Sequence, residues 1–585
     1  MDFFKPYPKV SSGLPYGTIE YKNYEYVINN SPIENNRAIH GDIVYLGNLQ
    51  NLDNLQKKVV GIKERFTGYI AGIIHLNLNQ KYGFTKRNIP YFKFTPLSGK
   101  FPTFIVPSKC KDKKALYCVI KINKWDTINK KPIGQIEYLL GAVGNMEAET
   151  EVLLYKNNIY PKRNKIEYND LPSIPIQNWD YKTFSIDPKG CKDIDDALHF
   201  KVLDCGGIEV GIHIANVSRF IKKLDTNFFS SIYLKDKIIT MLKENYSFDT
   251  CSLGSRVNKR SLSLIINYKE GEITNYEFKE TIVRNVPLSY QDAEQMICNS
   301  QGSSLFGLWE HTCELLDNQE LSATKMVEYY MLLYNRLVAE TLYKENPNTI
   351  LRTHKKVKID EKNNELEKYL QRLQQNAASY QINPKDTEHQ DLGLQFYTHA
   401  TSPIRRFVDI INQQNIIKYL NRNSIEQNII KEELNIIKEE SNNIIEEPNI
   451  IKEEPNNIIE ESNNLQMEKI NSFQKNLRKF YNNYKKLDII FGTEQNQLAY
   501  IIEIKDLKVK LFIPELDIEH SFYAISSKLV ECNLVEKKED TLIINGTQIK
   551  KFDKVLVKIT PLPFEEKFNK KLYISLLEPE IVILL

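Results

Sequence analysis

The sequence predicts a multidomain α+β chain in which small β-barrels at both ends flank a mixed α/β central domain. Three observations predict it. Stretches near both ends alternate short β-branched and aromatic strands with polar turns, the mark of small barrels. The centre holds apolar residues at helical spacing, as in VEYYMLLYNRLVAE from Val327 to Glu340. The length of 585 residues, at about 150 per domain, allows roughly four domains.

Composition narrows the function classes. A hydrophobic fraction of 42% is ample for buried cores. The net charge of +3 conceals an asymmetry: residues 424–464 hold eleven Glu and three Lys, so this segment carries −8 and the rest +11. Outside it the chain is basic, as a polyanion binder should be. Eight cysteines are scattered with no Cys-x-x-Cys pair and no accompanying His cluster, so neither a zinc site nor a disulfide framework is supported and free thiols are expected. MDFFKPYPKV lacks the apolar core of a signal peptide, and no apolar run reaches 18 residues. The expectation is a soluble intracellular protein with no membrane partner, cytoplasmic, with the nucleus as the alternative.

In chain order, residues 1–57 read as a first barrel, from GTIEY, YEYVI and RAIHGDIVYL. Residues 58–175 read as a second, from RFTGYIAGII and ALYCVIKINKW, with Tyr91, Phe92, Phe94 and Trp125 as candidates to stack bases or to fill its core. The central domain, 176–487, opens on SIDPKGCKDIDDALHF, where Asp187, Asp193, Asp195 and Asp196 crowd between apolar strand flanks. Crowded carboxylates repel one another, and a bound Mg²⁺ reverses that penalty. Spacing alone leaves two readings open, a polar capped turn or a metal site; an EF-hand is a poor fit because its bidentate Glu is missing. FYTHATSPIRRFVDIIN then runs from a Thr/Ser turn into a helix starting at Pro403 and continuing to about Leu420, with Thr401 or Ser402 as cap and Arg405 and Arg406 near its start, placed to meet phosphate. Residues 424–464 form a degenerate Ile-Ile-Lys-Glu-Glu repeat with prolines at 448 and 455, read as a disordered acidic insert. Short strands return in 488–585 and predict a third barrel.

The two central motifs together resemble the two signatures of the RNB family, the ribonuclease II and ribonuclease R type 3′→5′ exoribonucleases. The aspartates stand at the family spacing, and Tyr-Thr-His-x-Thr-Ser-Pro-Ile-Arg-Arg is its second core. RAIHGDIV and the stretch from PYFKFTPLS through Trp125, Pro132, Gly134 and GNMEAETE resemble the two cold-shock-like OB domains of eukaryotic members. The C-terminal strands resemble the family's third OB domain. The chain also departs from the pattern: Asn216 replaces an Asp, Lys243 a Pro and Gln413 a His. Gln474-Lys475 stands near the place of an Ala-Glu-Arg, so no catalytic Glu is carried over.

The resemblance implies processive hydrolysis of single-stranded RNA from its 3′ end to 5′-nucleoside monophosphates, dependent on Mg²⁺ or Mn²⁺. It implies Asp187, Asp193 and Asp196 as metal ligands and Asp195 as orienting the attacking water or a second metal. Arg405 would hold phosphate with Arg406 beside it, and Tyr233 and Tyr290 would stack the terminal bases. An exosome-like complex is the partner such relatives suggest, although the N-terminal endonuclease domain of the exosome subunit has no counterpart here. The rival reading is an RNA-binding subunit with degraded catalysis, to which Asn216, Gln413 and the missing Glu lend weight.

Overall fold

The computed structural model describes residues 2–5, 16–21, 24–29, 36–48, 57–78, 80–125, 130–161, 165–172, 174, 178–254, 257–355, 366, 369, 377–439, 457–525, 530, 533–538 and 540–580. The chain divides into two compact units. One holds residues 1–159, 362–369 and 475–585, the other 160–361 and 370–474.

The first unit is β-rich. Its N-terminal sheet is antiparallel, ordered Tyr24–Asn29, Tyr16–Tyr21, Asp2–Lys5, Ile43–Asn48 and Lys57–Glu64. The last strand pairs Ile43 with Glu64 and Val44 with Ile62, so the first domain ends near residue 64 rather than at 57. The His-Gly-Asp turn explains the closure. Asp42, fully buried, accepts hydrogen bonds from Ile39 N (2.9 Å), Phe66 N (2.7 Å) and Arg65 Nη1 (2.7 Å), tying the turn to the chain beyond the last strand. Gly41 has φ +92° and lies under the Phe66 ring, where a Cβ would approach to 2.6 Å.

The second domain is a closed barrel of Ile70–His75, Tyr91–Pro96, Phe104–Pro107, Ala115–Lys124 and Ile133–Ala142, followed by the Met146–Lys156 helix. Phe92 and Phe94 fill its core with Phe104, Val106 and Ile120, and Trp125 is buried as well. Of the four aromatics expected to stack bases or pack, only Tyr91 retains partial exposure; an alternating strand in a narrow barrel turns half its rings inward. Glu149 of the helix is buried and accepts from Tyr117 Oη (3.0 Å), Gly144 N (3.1 Å) and the buried Lys571 Nζ (2.9 Å), which fastens this barrel to the C-terminal domain. That domain is a five-stranded antiparallel sheet, Ile518–Tyr523, Lys508–Ile513, Gln495–Lys505, Lys554–Pro561 and Leu572–Glu578, with a three-stranded meander beside it.

The second unit begins at residue 160, not 176, because the Lys165–Tyr168 strand pairs with Ile221–Asp225. Its centre is a second closed barrel, of Tyr181–Asp187, Asp196–Val202, Ile208–Ala215, Asn258–Lys269 and Glu272–Ser289. The first and last strands close it in parallel, Tyr181 opposite Val283 and Asp187 opposite Ser289. Leu198, Ile212, Ile214, Leu262, Leu264 and Ile266 pack onto helices, chiefly Ala323–Glu345, whose Met326, Tyr330, Leu337 and Val338 are the apolar stripe read from the sequence.

Two expectations for the later helices are corrected. The helix after the Arg-Arg pair starts at Phe407 rather than Pro403. Residues 403–406 form a turn, with the Arg405 and Arg406 amides donating to Ser402 O (3.2 and 2.9 Å). The same helix runs to Glu439, and the next spans Asn457–Ile490, so 424–439 and 457–464 of the supposedly disordered insert are helical. Ile pairs seven residues apart, at 429–430 and 436–437, repeat at helical spacing, and the first proline, Pro448, lies beyond Glu439. Residues 440–456 lie outside the described residues.

Candidate active site

The aspartate stretch links two adjacent strands of the closed barrel in the second unit. Asp187 ends one and Asp196 begins the next. Between them Gly190, at φ +83°, lets the chain turn, and Cys191 N closes the turn on Pro188 O (3.0 Å). The remainder is clamped from 58 residues away. Ser252 Oγ accepts from Ile194 N (3.0 Å) and donates to Lys192 O (2.8 Å), while Leu253 N donates to Ile194 O (2.9 Å). Ile194 is a buried plug. The carboxylates are therefore held on a fixed loop.

Asp195 is 3% exposed and meets the Arg-Arg turn directly. Its Oδ1 accepts from Ile404 N (2.9 Å) and its Oδ2 from Arg405 Nε (3.2 Å). Arg405 Nη2 also donates to Ser402 Oγ (2.9 Å), yet the side chain stays 45% exposed, so the guanidinium still faces an open side. Asp193 accepts from the Tyr233 hydroxyl on one oxygen and from Cys191 Sγ (3.8 Å) on the other. Tyr233 is 39% exposed. Tyr290, half-buried, begins a helix capped by Ser289 and Asp292, and its hydroxyl is pushed up first by burial, then by the charges of Asp187 and Asp196. The two distant aspartate and Arg-Arg motifs and both tyrosines thus converge.

Arg406 has an internal partner. It pairs with the fully buried Asp409 (2.8 Å), which also accepts from Ser402 N (2.7 Å), and so it shapes the turn that aims Arg405. This gives the buried carboxylate the cation it requires, and the Arg406 charge also acts on Asp196. Asn216 and Gln413 are likewise structural. Asn216 donates to Glu280 (2.7 Å) and accepts from Ser218 Oγ (3.0 Å), while Gln413 bridges Ala215 O (2.8 Å) and Ser218 N (3.2 Å).

The electrostatics are those of carboxylates short of cations. Burial raises Asp187 to about 6, with Asp193 adding and the Ser185 hydrogen bond and Arg405 opposing. Burial raises Asp196 to about 7, reinforced by Asp187. Asp195 is pushed up to about 8, again first by burial, even with Arg405 and Ile404 N opposing. Asp187 Oδ2 is buried without a hydrogen-bond partner. Among the described residues no three His, Cys, Asp or Glu side chains are arranged to hold one ion, so the expected four-carboxylate cage is not preassembled. Asp193 and Asp195 spend oxygens on Tyr233, Ile404 and Arg405, which leaves Asp187 and Asp196 as the freer pair. That donor set fits Mg²⁺, which takes one or two carboxylates and completes its shell with phosphate oxygens and water.

The RNB domain matches residues 177–306 and 357–422, covering every residue of the site, and the Dis3-like cold-shock domain 2 (CSD2) matches residues 91–158. Over these stretches the chain is similar to the RNB and Dis3-like families. The exosome complex exonuclease RRP44 of Mus musculus is 27% identical over an alignment of 503 residues that covers 64% of this chain and 52% of that protein. The exosome complex exonuclease dis3 of Schizosaccharomyces pombe is 26% identical over an alignment of 478 residues that covers 64% of this chain and 49% of that one. The chain spans about half the length of the curated relatives it matches. Among solved structures, Mycoplasma genitalium RNase R, in complex with ribose-methylated single-stranded RNA, superposes with a TM-score of 0.68 at 16% identity, covering 99% of this chain and 100% of that one. Yeast Ssd1, described as a pseudonuclease, superposes with a TM-score of 0.60 at 14% identity, covering 99% and 97%. At these identities the likeness is one of fold.

Proposed function

We propose that the chain is a divalent-metal-dependent, processive 3′→5′ exoribonuclease that hydrolyses single-stranded RNA to 5′-nucleoside monophosphates. The observation that carries this reading is the pairing of Asp195 with Arg405. It joins a cluster of four carboxylates to an outward-facing guanidinium, the two charge types that in-line hydrolysis of a phosphodiester needs. Asp187 and Asp196 would hold Mg²⁺, with Asp193 nearby; the chemistry such an ion would supply there is activation of water and compensation of charge on the leaving 3′ oxygen. Arg405 binds the non-bridging oxygens of the scissile phosphate and compensates charge as the bond breaks. Asp195 fixes the angle of Arg405; burial works against the guanidinium charge, and Asp195, Tyr233 and Asp409 together outweigh it. Tyr233 and Tyr290 flank the carboxylates and offer faces on which the last bases stack, which sets the register of the phosphate. Named relatives act in the exosome, and an assembly of that kind is the partner this reading suggests.

A second reading, RNA binding without hydrolysis, is favoured by the fold shared with a pseudonuclease. The presence of all four aspartates and Arg405 weighs against it. The experiment is incubation of purified protein with uniformly labelled single-stranded RNA in Mg²⁺ and in EDTA. Release of 5′-mononucleotides in Mg²⁺ alone supports the proposal; RNA bound but intact in both supports the second reading.

A further inference from the structure

One buried amide holds both ends of the aspartate loop. Side chains alternate along the strand Tyr181–Asp187, and Phe184 and Ile186 pack in the core shared with the helices. Thr183, Ser185 and Asp187 therefore turn to the opposite face, into the closed barrel. Thr183 lies opposite Asn285 on the parallel strand Glu272–Ser289. Thr183, Ser185 and Asn285 are all buried, so their polar groups must find partners within the protein.

Asn285 spends its whole amide on this task. Its Oδ1 accepts from Thr183 Oγ1 (3.2 Å), and its Nδ2 donates to Ser185 Oγ (3.0 Å) and to Leu253 O (2.8 Å). The Leu253 carbonyl can only accept, which fixes the way the amide faces. Each donation reaches one end of the loop. Ser185 Oγ is taken as an acceptor, so its own O–H is left to donate, and it does so to Asp187, two residues on along the same face. Leu253 N donates to Ile194 O (2.9 Å), between Asp193 and Asp195. Packing alone does not call for an amide at this position. Val283, two residues earlier on the strand, is buried and apolar, and a buried polar side chain costs stability unless its bonds are made.

We propose that Asn285 is a positioning residue for the metal site. Through Ser185 it sets the orientation of the Asp187 carboxylate, and through Leu253 it holds the Ile194 end of the loop, so that the carboxylates meet a divalent ion already aligned. Fully buried, it acts only through those neighbours. The proposal rests on the reading of Asp187 and Asp196 as the carboxylates that hold the metal, and not on hydrolysis. Groups that orient metal-binding carboxylates are commonly worth about 10–100-fold in metal affinity.

The test is Mn²⁺ binding to the full chain, read from the electron paramagnetic resonance of the free ion. Beside it run the Mg²⁺ dependence of single-turnover RNA decay and RNA binding in EDTA. Asn285→Leu removes the amide at nearly constant volume, and Ser185→Ala removes only the hydroxyl that reaches Asp187. Ser263→Ala is the control, because it breaks hydrogen bonds to His213 (2.6 Å) and Thr281 (2.6 Å) elsewhere in the same barrel. Asn285→Leu and Ser185→Ala should each weaken Mn²⁺ binding by about tenfold or more and raise the Mg²⁺ concentration for half-maximal decay by a similar factor. RNA affinity in EDTA should not change. Ser263→Ala should lower the melting temperature and leave Mn²⁺ affinity as in the parent. Should Asn285→Leu fail to fold, Ser185→Ala decides. Unchanged Mn²⁺ affinity in the folded variants, or an equal loss in Ser263→Ala, overturns the proposal. A parent that binds Mn²⁺ without shortening RNA overturns the hydrolytic reading instead, and the same variants still decide this one. A parent that binds no Mn²⁺ overturns both.

Discussion

Changing Asp195 to Asn exchanges one carboxylate oxygen for an amide nitrogen at nearly constant volume. The Oδ1 contact with Ile404 N survives, while the amide placed opposite Arg405 Nε sets a donor against a donor. Two things are lost together: a negative charge beside Asp196, and the partner that orients Arg405. At about 1.36 kcal/mol per tenfold, a combined loss of about 4 kcal/mol of transition-state stabilisation is a fall of about 10³ in rate. RNA affinity in EDTA should hold, because burial raises Asp195 to about 8 and little repelling charge is lost near pH 7 without metal. Folding in EDTA should not weaken, because burial and the nearby Asp196 and Asp409 already disfavour the ionised carboxylate. The assay pairs single-turnover RNA decay in Mg²⁺ with binding of the same RNA in EDTA. Decay at near the parent rate would refute the assignment. A joint loss of decay, binding and melting temperature would show that Asp195 holds the fold instead.

Tyr233→Ala should lengthen the final product more than it slows decay, since one base–ring stack is worth about 1–3 kcal/mol and matters most when few nucleotides remain; an unchanged product ladder would remove Tyr233 from the substrate path. Arg406→Ala strands the fully buried Asp409 and should cost about 3–5 kcal/mol in denaturant unfolding, far more than any effect on RNA affinity measured while folded; the reverse ordering would restore Arg406 to phosphate binding. His520, buried in the C-terminal domain, is lowered to about 4 by burial and then by Lys486 and Lys508. Because the folded state resists its protonation, stability should fall as pH drops from about 6.5 to about 4, by about 3 kcal/mol over the window. Melting curves of parent and His520→Gln across that range check this: the variant should lose less on acidification, and equal losses would contradict it.

The chemistry was more legible in the sequence than the architecture around it. Aspartate spacing and the Thr-Ser-Pro-Ile-Arg-Arg turn singled out Asp187, Asp193, Asp195, Asp196 and Arg405, which the structure brings together, because local motifs carry local geometry. Adjacent Arg405 and Arg406 could not be told apart, since residues next to each other in a turn diverge and only the buried Asp409 shows which one is claimed internally. The Ser252 clamp was hidden for a related reason: 58 residues separate it from Ile194, and no periodicity reports a contact of that range. One domain end was misplaced because the partner of Lys165–Tyr168 lies more than fifty residues along the chain, and the other because the cut fell at the start of Lys57–Glu64, which pairs back to Ile43–Asn48. In residues 424–439 the Asn- and Glu-rich composition argued for disorder, whereas the spacing of the Ile pairs carried the helical signal that the structure follows.

The central claim is directional hydrolysis at the carboxylate–Arg405 site, and polarity tests it most directly. Two otherwise identical single-stranded RNAs, one labelled at its 5′ end and one at its 3′ end, are incubated with the protein in Mg²⁺ at substrate excess. The account predicts immediate release of the 3′ label as a mononucleotide, while the 5′ label passes from full length to a short end product with few intermediates. Release of the 5′ label first, internal fragments from both substrates, or two RNAs that stay intact while bound would contradict it.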